Sequence, residues 1–457
     1  MPHRRVVITG IGSISSLGLG SDALWSGLME GRSGIGPITR FDASGYECRL
    51  AAEVRDYSAR DHVPKSYRKA VKVMSRDVEL AVGAAKAAVE DAGIATRGMV
   101  NEGLAAAMTY PSERVGCHVG AGLIAAETDE LSSALVTARE EATGEFSLRA
   151  WGTAWAPDGT PGAGAMNNLP PLWMLKYLPN MLACHVSILH NAQGPSNTIT
   201  CAEASGILSI GESMRVIERD DADLCFSGGA ESKVNLMGML RMAMAGRLSP
   251  TLDRADTSVH PRPYDPSSPG TVVGEGGGIL VLEDFDRAQA RGAAIHAEVI
   301  GFGAAHSQPI EWWAGIPGEP VGADEGLQFA IENALADAGL SADDIDAVVP
   351  HGSGLPWLDQ AEAGALHRVF GSRMNELPVV AVTPNIGSCN AGMGALLAVV
   401  AARCIKHQKL PAQINAGAPA IAGATARPPR DMRLRHVLAC SGSLGGQNAA
   451  VILRSVT

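Results

Sequence analysis

Aromatic residues make up only 4 % of this 457-residue chain, which speaks against an aromatic-lined binding surface. Set beside 53 glycines, that scarcity favours helices packed tightly on sheets. Positive charge is also short. The 37 Lys and Arg are outnumbered by 48 Asp and Glu, and a net charge of −11 speaks against binding nucleic acid or an anionic membrane through overall charge. No Cys-x-x-Cys spacing occurs among the cysteines (48, 117, 184, 201, 225, 389, 404 and 440), so a zinc site has little support, and no metal is expected. Their apolar surroundings, as in "DADLCFSGG" and "HVLACSG", predict reduced, buried thiols of a cytoplasmic protein. No apolar stretch reaches the roughly 18 residues of a membrane span. The start, "MPHRRVVITG", runs into a strand without the apolar core of a signal peptide.

What is present is an alternation of strand and helix patterns over a length suited to two or three domain-sized units. "RVVITGIG" (5–12) reads as a buried strand, and "RVGCHVGAG" (114–122) as another. Between them, "VELAVGAAKAAVEDAGI" (78–94) has helical spacing and a C-capping glycine, Gly93. The alternation predicts an α/β fold with a largely parallel sheet. An internal repeat sharpens this. "VEDAGI" (89–94) is echoed by "LADAGL" (335–340), "VVITGIGSI" (6–14) by "AEVIGFGAA" (297–305), and "VGCHVGAG" (115–122) by "AVVPHGSG" (347–354). "ADLCFSGGAES" followed by "GGGILVLED" is echoed by "HVLACSGSLGG" followed by "NAAVILR". Two halves, 1–288 and 289–457, are therefore expected to share one β-α-β-α-β-α-β-β topology, with helices between and outside two sheets. The segment 137–172 has neither period and reads as a long excursion. One local exception to the negative charge is the run Arg55, Arg60, Lys65, Arg68, Lys69, Lys72 and Arg76, a solvated face or a docking patch for an acidic partner.

The segment "GPSNTITCAEASGILSIGE" (194–212) resembles the Gly-Pro-x-x-x-Ile-x-x-Ala-Cys-x-Ser-Gly signature of the β-ketoacyl-acyl carrier protein synthases, condensing enzymes of the thiolase superfamily. "LPNMLACHVSI" (178–188), "FSGGAES" (226–232), "RPYD" (262–265), "VVGEGGGILVLED" (272–284) and "HGSGLPWLDQAEAGALHRVFG" (351–371) match in family order, so the resemblance spans nearly the whole chain. It implies the thiolase fold, a five-layered α-β-α-β-α sandwich, and an obligate dimer. It implies no bound cofactor beyond the phosphopantetheine arm of acyl carrier protein.

The chemistry of that family rests on a Cys at a helix N-terminus, two His that promote decarboxylation, and a supporting Lys. This sequence departs from it. The nucleophile position holds Glu203, and Cys201, two residues upstream, reads as a packed core thiol. The first His is His351. The second falls on Ser388, or on Cys389 with a shifted gap, and the Lys position falls near Pro384. No His lies between His367 and His407, and no Lys between Lys233 and Lys406. Gly442 and Leu444 replace the aromatics that commonly line the acyl site. Asp359 and Glu362 match structural acidic positions, and the glycines of 226–232 and 273–278 read as structural turns at the pocket floor. Lys65, Arg68 and Lys69 occupy the segment that in relatives receives the acidic carrier protein.

Ordinary Cys-dependent condensation is therefore not expected. One reading is a non-condensing partner subunit, resembling a chain-length factor, paired with a Cys-bearing ketosynthase. A second is altered catalysis on carrier-bound acyl thioesters (decarboxylation, dehydration, isomerisation or hydrolysis) with Glu203 and His351 as the acid/base pair. A third is a scaffold in which Glu203 only caps its helix. Sequence leaves open whether the dimer is homo- or heteromeric.

Overall fold

The computed structural model describes residues 4–152, 162, 164–251, 261–308 and 322–456. Part of the expected excursion, 153–161 and 163, lies outside these residues.

The "VVITGIGSI" run forms β1 (Val6–Ser15), in which every residue is buried, as expected of a strand covered on both faces. Helix α1 (Arg76–Ala92) follows, then β2 (Val115–Gly120), α2 (Met181–His190), β3 (Ser196–Ile199) and α3 (Ser205–Glu218). Next come β4 (Leu224–Ser232), α4 (Leu236–Met244) and β5 (Glu275–Asp284). The later part of the chain supplies β6 (Ala297–His306), α5 (Glu325–Ala338), β7 (Ala347–Val349), α6 (Pro356–Phe370), α7 (Met393–His407), β8 (His436–Gly442) and β9 (Gln447–Arg454).

The strand order is β3-β2-β4-β5-β1 in the first set and β7-β8-β9-β6 in the second, with Val379 bridging Val348 on the outer side of β7. The two orders are the same once that bridge is taken as a reduced third strand. The sets meet edge to edge where Val6, Val7 and Ile8 of β1 pair with Val299, Glu298 and Ala297 of β6. The sheet is mixed, not largely parallel: β2 pairs in parallel with β3 and β4, and β7 with β8, while the other pairings along the path are antiparallel. The reason is connectivity. β8 reaches β9 through residues 443–446 alone, and so short a link joins only antiparallel neighbours.

The repeat has a physical basis that is the same on both sides. Gly12 of β1 lies under α1, where an added Cβ would stand 1.9 Å from the Ala84 carbonyl oxygen; Gly303 of β6 lies under α5, with the same clash at 2.1 Å from that of Ala330. The helices sit so close that only glycine fits. At each helix end an aspartate accepts a strand N–H, Asp91 from Ile11 at 2.8 Å and Asp337 from Phe302 at 2.9 Å. Gly93 and Gly339 then end the helices with φ of 61° and 65°.

Five layers result. α1 and α2 cover one outer face, α5 and α6 the other, and α3 and α7 lie between the two strand sets, which the β1–β6 pairing joins into one continuous sheet, in the largest apolar core. The glycine segments expected to be turns are strand interiors instead: Gly229 pairs with Gly278 and Ala230 with Gly277. Their lack of side chains admits the start of α7, since a Cβ on Gly229 would meet the Ala391 carbonyl at 2.6 Å.

Candidate functional site

Strand β3 ends at Ile199, and the chain turns sharply through Cys201 to Ala204 before α3 begins. Ala202 takes φ of 44°, a left-handed conformation that costs an ordinary residue roughly 1–3 kcal/mol. The Ser205 hydroxyl accepts the Cys201 N–H at 2.8 Å and fixes the turn. The elbow delivers Glu203 to the entrance of α3 with no solvent exposure. Cys201 does not pack in the core as expected. It lies in the turn beyond the strand and stays half-buried because β3 is the sheet edge. Of the other cysteines, Cys184 is also half-buried and the rest are buried.

Glu203 is held by a residue that the sequence motifs do not single out. Nη2 of Arg247 donates to its Oε1 at 2.5 Å, and Arg247 is itself buried at 5 % exposure. Burial pushes the Glu203 carboxyl pKa up, but the Arg247 charge and hydrogen bond overcome it and hold the group below the usual carboxylate range. The elbow therefore carries an ionised carboxylate in a tight ion pair. A carboxylate in an apolar turn demands a buried counter-charge. The isolated Arg in "MAGRLSP" is the one signal of it in the sequence.

His351 follows β7 and is 2 % exposed. Its Nε2 lies 3.3 Å from the Ser388 hydroxyl, so of the two alternatives at the second His position it is Ser388 that faces the imidazole. Cys389 turns its thiol back onto the Ile386 carbonyl. Burial lowers the His351 pKa to about 4, with Glu203 opposing and Arg247 assisting, so the ring is neutral near pH 7. Asp359 and Glu362 hold the loop that carries it. Glu362 accepts the N–H groups of His351 and Gly352 at 3.1 and 2.9 Å, and Asp359 those of Ser353 and Gly354 at 2.8 and 3.0 Å. Tyr264 ties both carboxylates together, giving its N–H to Asp359 and its hydroxyl to Glu362. Pro384, near which the Lys position is expected to fall, is buried in a short helix, Thr383–Ile386.

Gly442 ends β8 beside His351, across a void of about 10 Å³ that also touches Asp324 and Leu358. Leu444 lies in the turn beyond, half-buried. Lys65, Arg68 and Lys69 project from a 3₁₀ segment, Lys65–Val73, all exposed and without a carboxylate partner among the described residues. The basic run is shorter than it reads. Arg76, half-buried, is paired with Glu275 at 3.0 Å, and Arg55 lies 3.7 Å from Glu53.

Chemically, the site offers a neutral imidazole on a hydroxyl, and a carboxylate neutralised by a guanidinium where a nucleophile would stand. Residues 3–288 match the model of the beta-ketoacyl synthase N-terminal domain and residues 316–417 that of the C-terminal domain. The chain is 30 % identical over 455 residues to 3-oxoacyl-[acyl-carrier-protein] synthase 2 of Staphylococcus aureus (strain COL), covering 99 % of this chain and 98 % of the relative. It is 31 % identical over 460 residues to the enzyme of that name from Coxiella burnetii (strain RSA 493 / Nine Mile phase I), covering 100 % of both. Among solved structures it superposes on the ishigamide ketosynthase/chain length factor with a TM-score of 0.79 at 29 % identity over 100 % of both chains. With duplicated strand orders, a helix-entrance elbow and these matches, the chain belongs to the beta-ketoacyl synthase family and has the thiolase fold.

Proposed function

We propose that this protein is a non-condensing subunit of a fatty-acid- or polyketide-type synthase, resembling a chain-length factor, which works with acyl carrier protein and a Cys-bearing ketosynthase in the cytoplasm. The observation that carries the reading is the buried Glu203–Arg247 ion pair at the elbow. A carboxylate is a poor acceptor for an acyl group from a thioester, and one held ionised by Arg247 is also a poor proton donor. The pair plugs the position from which condensation would start. Likeness to acyl-carrier-protein synthases supports the carrier protein as partner, and likeness to the ishigamide ketosynthase/chain length factor supports pairing with a ketosynthase.

Surface features support an obligate dimer. β3 is an edge strand whose Ser196 and Asn197 are exposed. Close by, Leu123 is 68 % and Met244 80 % exposed, and Arg241 Nη1 reaches the Leu123 carbonyl at 3.4 Å. We divide the chain at 288/289 into two thiolase-like halves, with Gly442 and Leu444 near the acyl pocket and Lys65, Arg68 and Lys69 as the carrier-docking face.

The His351–Ser388 contact favours a second reading, altered catalysis, in which His351 acts on a carrier-bound thioester with Glu203. One experiment separates the two. The protein, alone and with a Cys-bearing ketosynthase, is incubated with malonyl- and β-hydroxyacyl-carrier protein, and the products are read by intact-protein mass spectrometry. A partner subunit gives products only with the ketosynthase, and Glu203→Gln combined with Arg247→Met, which strands no buried charge, leaves them unchanged. Turnover by the protein alone that is lost in Glu203→Gln would overturn that reading and establish the second.

A further inference from the structure

The end of the sheet remote from Glu203 carries a groove that the proposed function leaves unused. β8 measures the separation: Gly442, its last residue, lies beside His351, whereas Arg435 precedes its first. Seven residues of strand at ~3.3 Å each place them about 23 Å apart. The groove has a volume of about 540 Å³, within the range of roughly 300–1,000 Å³ typical of small-molecule sites. Arg5, Arg433, Arg435 and Arg454 line it, with Glu298 and Gln408.

Two of these arginines, Arg5 and Arg454, are held in place by their side chains. Glu298, 3 % exposed, accepts Nε and Nη2 of Arg5 at 2.7 and 2.8 Å and Nε and Nη2 of Arg454 at 3.2 and 2.7 Å. Neither Nη1 is used in those bonds. Arg5 is stacked on the Phe285 ring at 3.7 Å as well. The segment that carries the other two is held at its backbone, while their side chains remain free to reorient. Gln408 clamps Leu434, giving Nε2 to its carbonyl and taking its N–H, both at 2.9 Å. Asp346 accepts the backbone N–H groups of Arg435 and His436 at 2.6 and 2.8 Å. Arg433 and Arg435 are exposed and form no salt bridge among the described residues, although the Asp344 carboxylate lies within electrostatic reach of Arg435. Four arginines thus line a groove with a single lining carboxylate, Glu298, which only Arg5 and Arg454 engage, in a chain whose net charge is −11.

We propose that this groove binds a compact polyphosphate or phosphate ester. Guanidinium forks match phosphate oxygens in pairs, and the two forks already held on Glu298 lose little freedom on binding. A concavity of this size suits the dense charge of phosphate better than the spaced carboxylates of an acidic protein segment. A nucleoside triphosphate and a coenzyme A-type thioester both carry the required diphosphate. The site is independent of Glu203 and of the carrier-docking face.

The test is calorimetric titration of the full-length protein at low salt, with inorganic pyrophosphate as the first probe and ATP and coenzyme A as the second pair. Saturable pyrophosphate binding is expected, weakened about tenfold or more by Arg433→Glu/Arg435→Glu, since two charge-assisted donors become repelling carboxylates. The milder pair Arg433→Gln/Arg435→Gln gives a smaller loss in the same direction, and thermal melting is unchanged because both side chains are exposed. Tighter binding of ATP or of coenzyme A identifies the source. No saturable pyrophosphate binding, equal binding by the charge-reversed variant, or binding only of a polyglutamate peptide overturns the proposal.

Discussion

A buried charge left without its partner is far more costly than the pair is valuable, and that asymmetry makes Glu203 and Arg247 testable as a unit. Arg247→Met strands the Glu203 carboxylate in a position with no solvent exposure, and is expected to cost about 3–5 kcal/mol of unfolding free energy. Adding Glu203→Gln to Arg247→Met should recover most of it, so a denaturant double-mutant cycle will show strong coupling. Near-additive losses would mean that the two side chains do not act as a pair. His351 gives a pH-resolved counterpart. Its folded-state pKa of about 4 lies below the ordinary value of 6.5, so the folded state binds fewer protons between those values. The stability it contributes is complete above pH 6.5 and is lost as pH falls towards 4. Denaturation midpoints of the wild type and His351→Gln should therefore converge as pH falls through that window, and parallel curves would refute the burial of a neutral imidazole.

At the scale of elements, duplication is enforced by contacts too close for any side chain. Gly12→Ala pushes a methyl group against the α1 backbone at 1.9 Å, and Gly303→Ala does the same against α5 at 2.1 Å. Each is expected to destabilise by at least the ~1–3 kcal/mol of core overpacking. Gly45→Ala, where an added Cβ meets nothing within 4 Å, serves as the control in the same thermal-melting series. Both glycines and both helix-end aspartates recur in the chain, so the repeat is legible from residue patterns alone: "TGIG" with "EDAG" predicts "IGFG" with "ADAG". Strand direction is not legible in the same way. Alternating strands and helices suggest parallel pairing, yet short returns such as the one between β8 and β9 impose antiparallel neighbours. The "GGAES" and "GEGGG" segments read as turns because glycine marks turns more often than it marks strands under a close helix. At the site, sequence register puts Glu203 at the elbow and leaves Ser388 and Cys389 open. Only three-dimensional packing brings in Arg247, which lies 44 residues from Glu203 in the chain.

For the whole molecule, the decisive quantity is where charge sits rather than its sum. A chain of net charge −11 repels an acidic carrier protein at long range, so attraction must come from a local patch within about one Debye length, ~8 Å at physiological salt. Lys65, Arg68 and Lys69 form such a patch, exposed on one 3₁₀ segment and free of carboxylate partners among the described residues. The other end of the sheet concentrates its own arginines in the groove around Glu298, which predicts two anion-binding faces that fail separately. Lys65→Glu/Lys69→Glu should weaken acyl carrier protein binding by about tenfold or more and flatten its salt dependence, because fewer favourable charge contacts remain to be screened. Thermal melting should not change, since both side chains are exposed. The same variant should bind pyrophosphate as the wild type does, while Arg433→Glu/Arg435→Glu should bind carrier protein as the wild type does. Biolayer interferometry across a salt series reads both arms. Unchanged carrier binding in Lys65→Glu/Lys69→Glu would remove the docking face from this segment, and a loss of carrier binding in the arginine variant would mean that the two faces serve one partner.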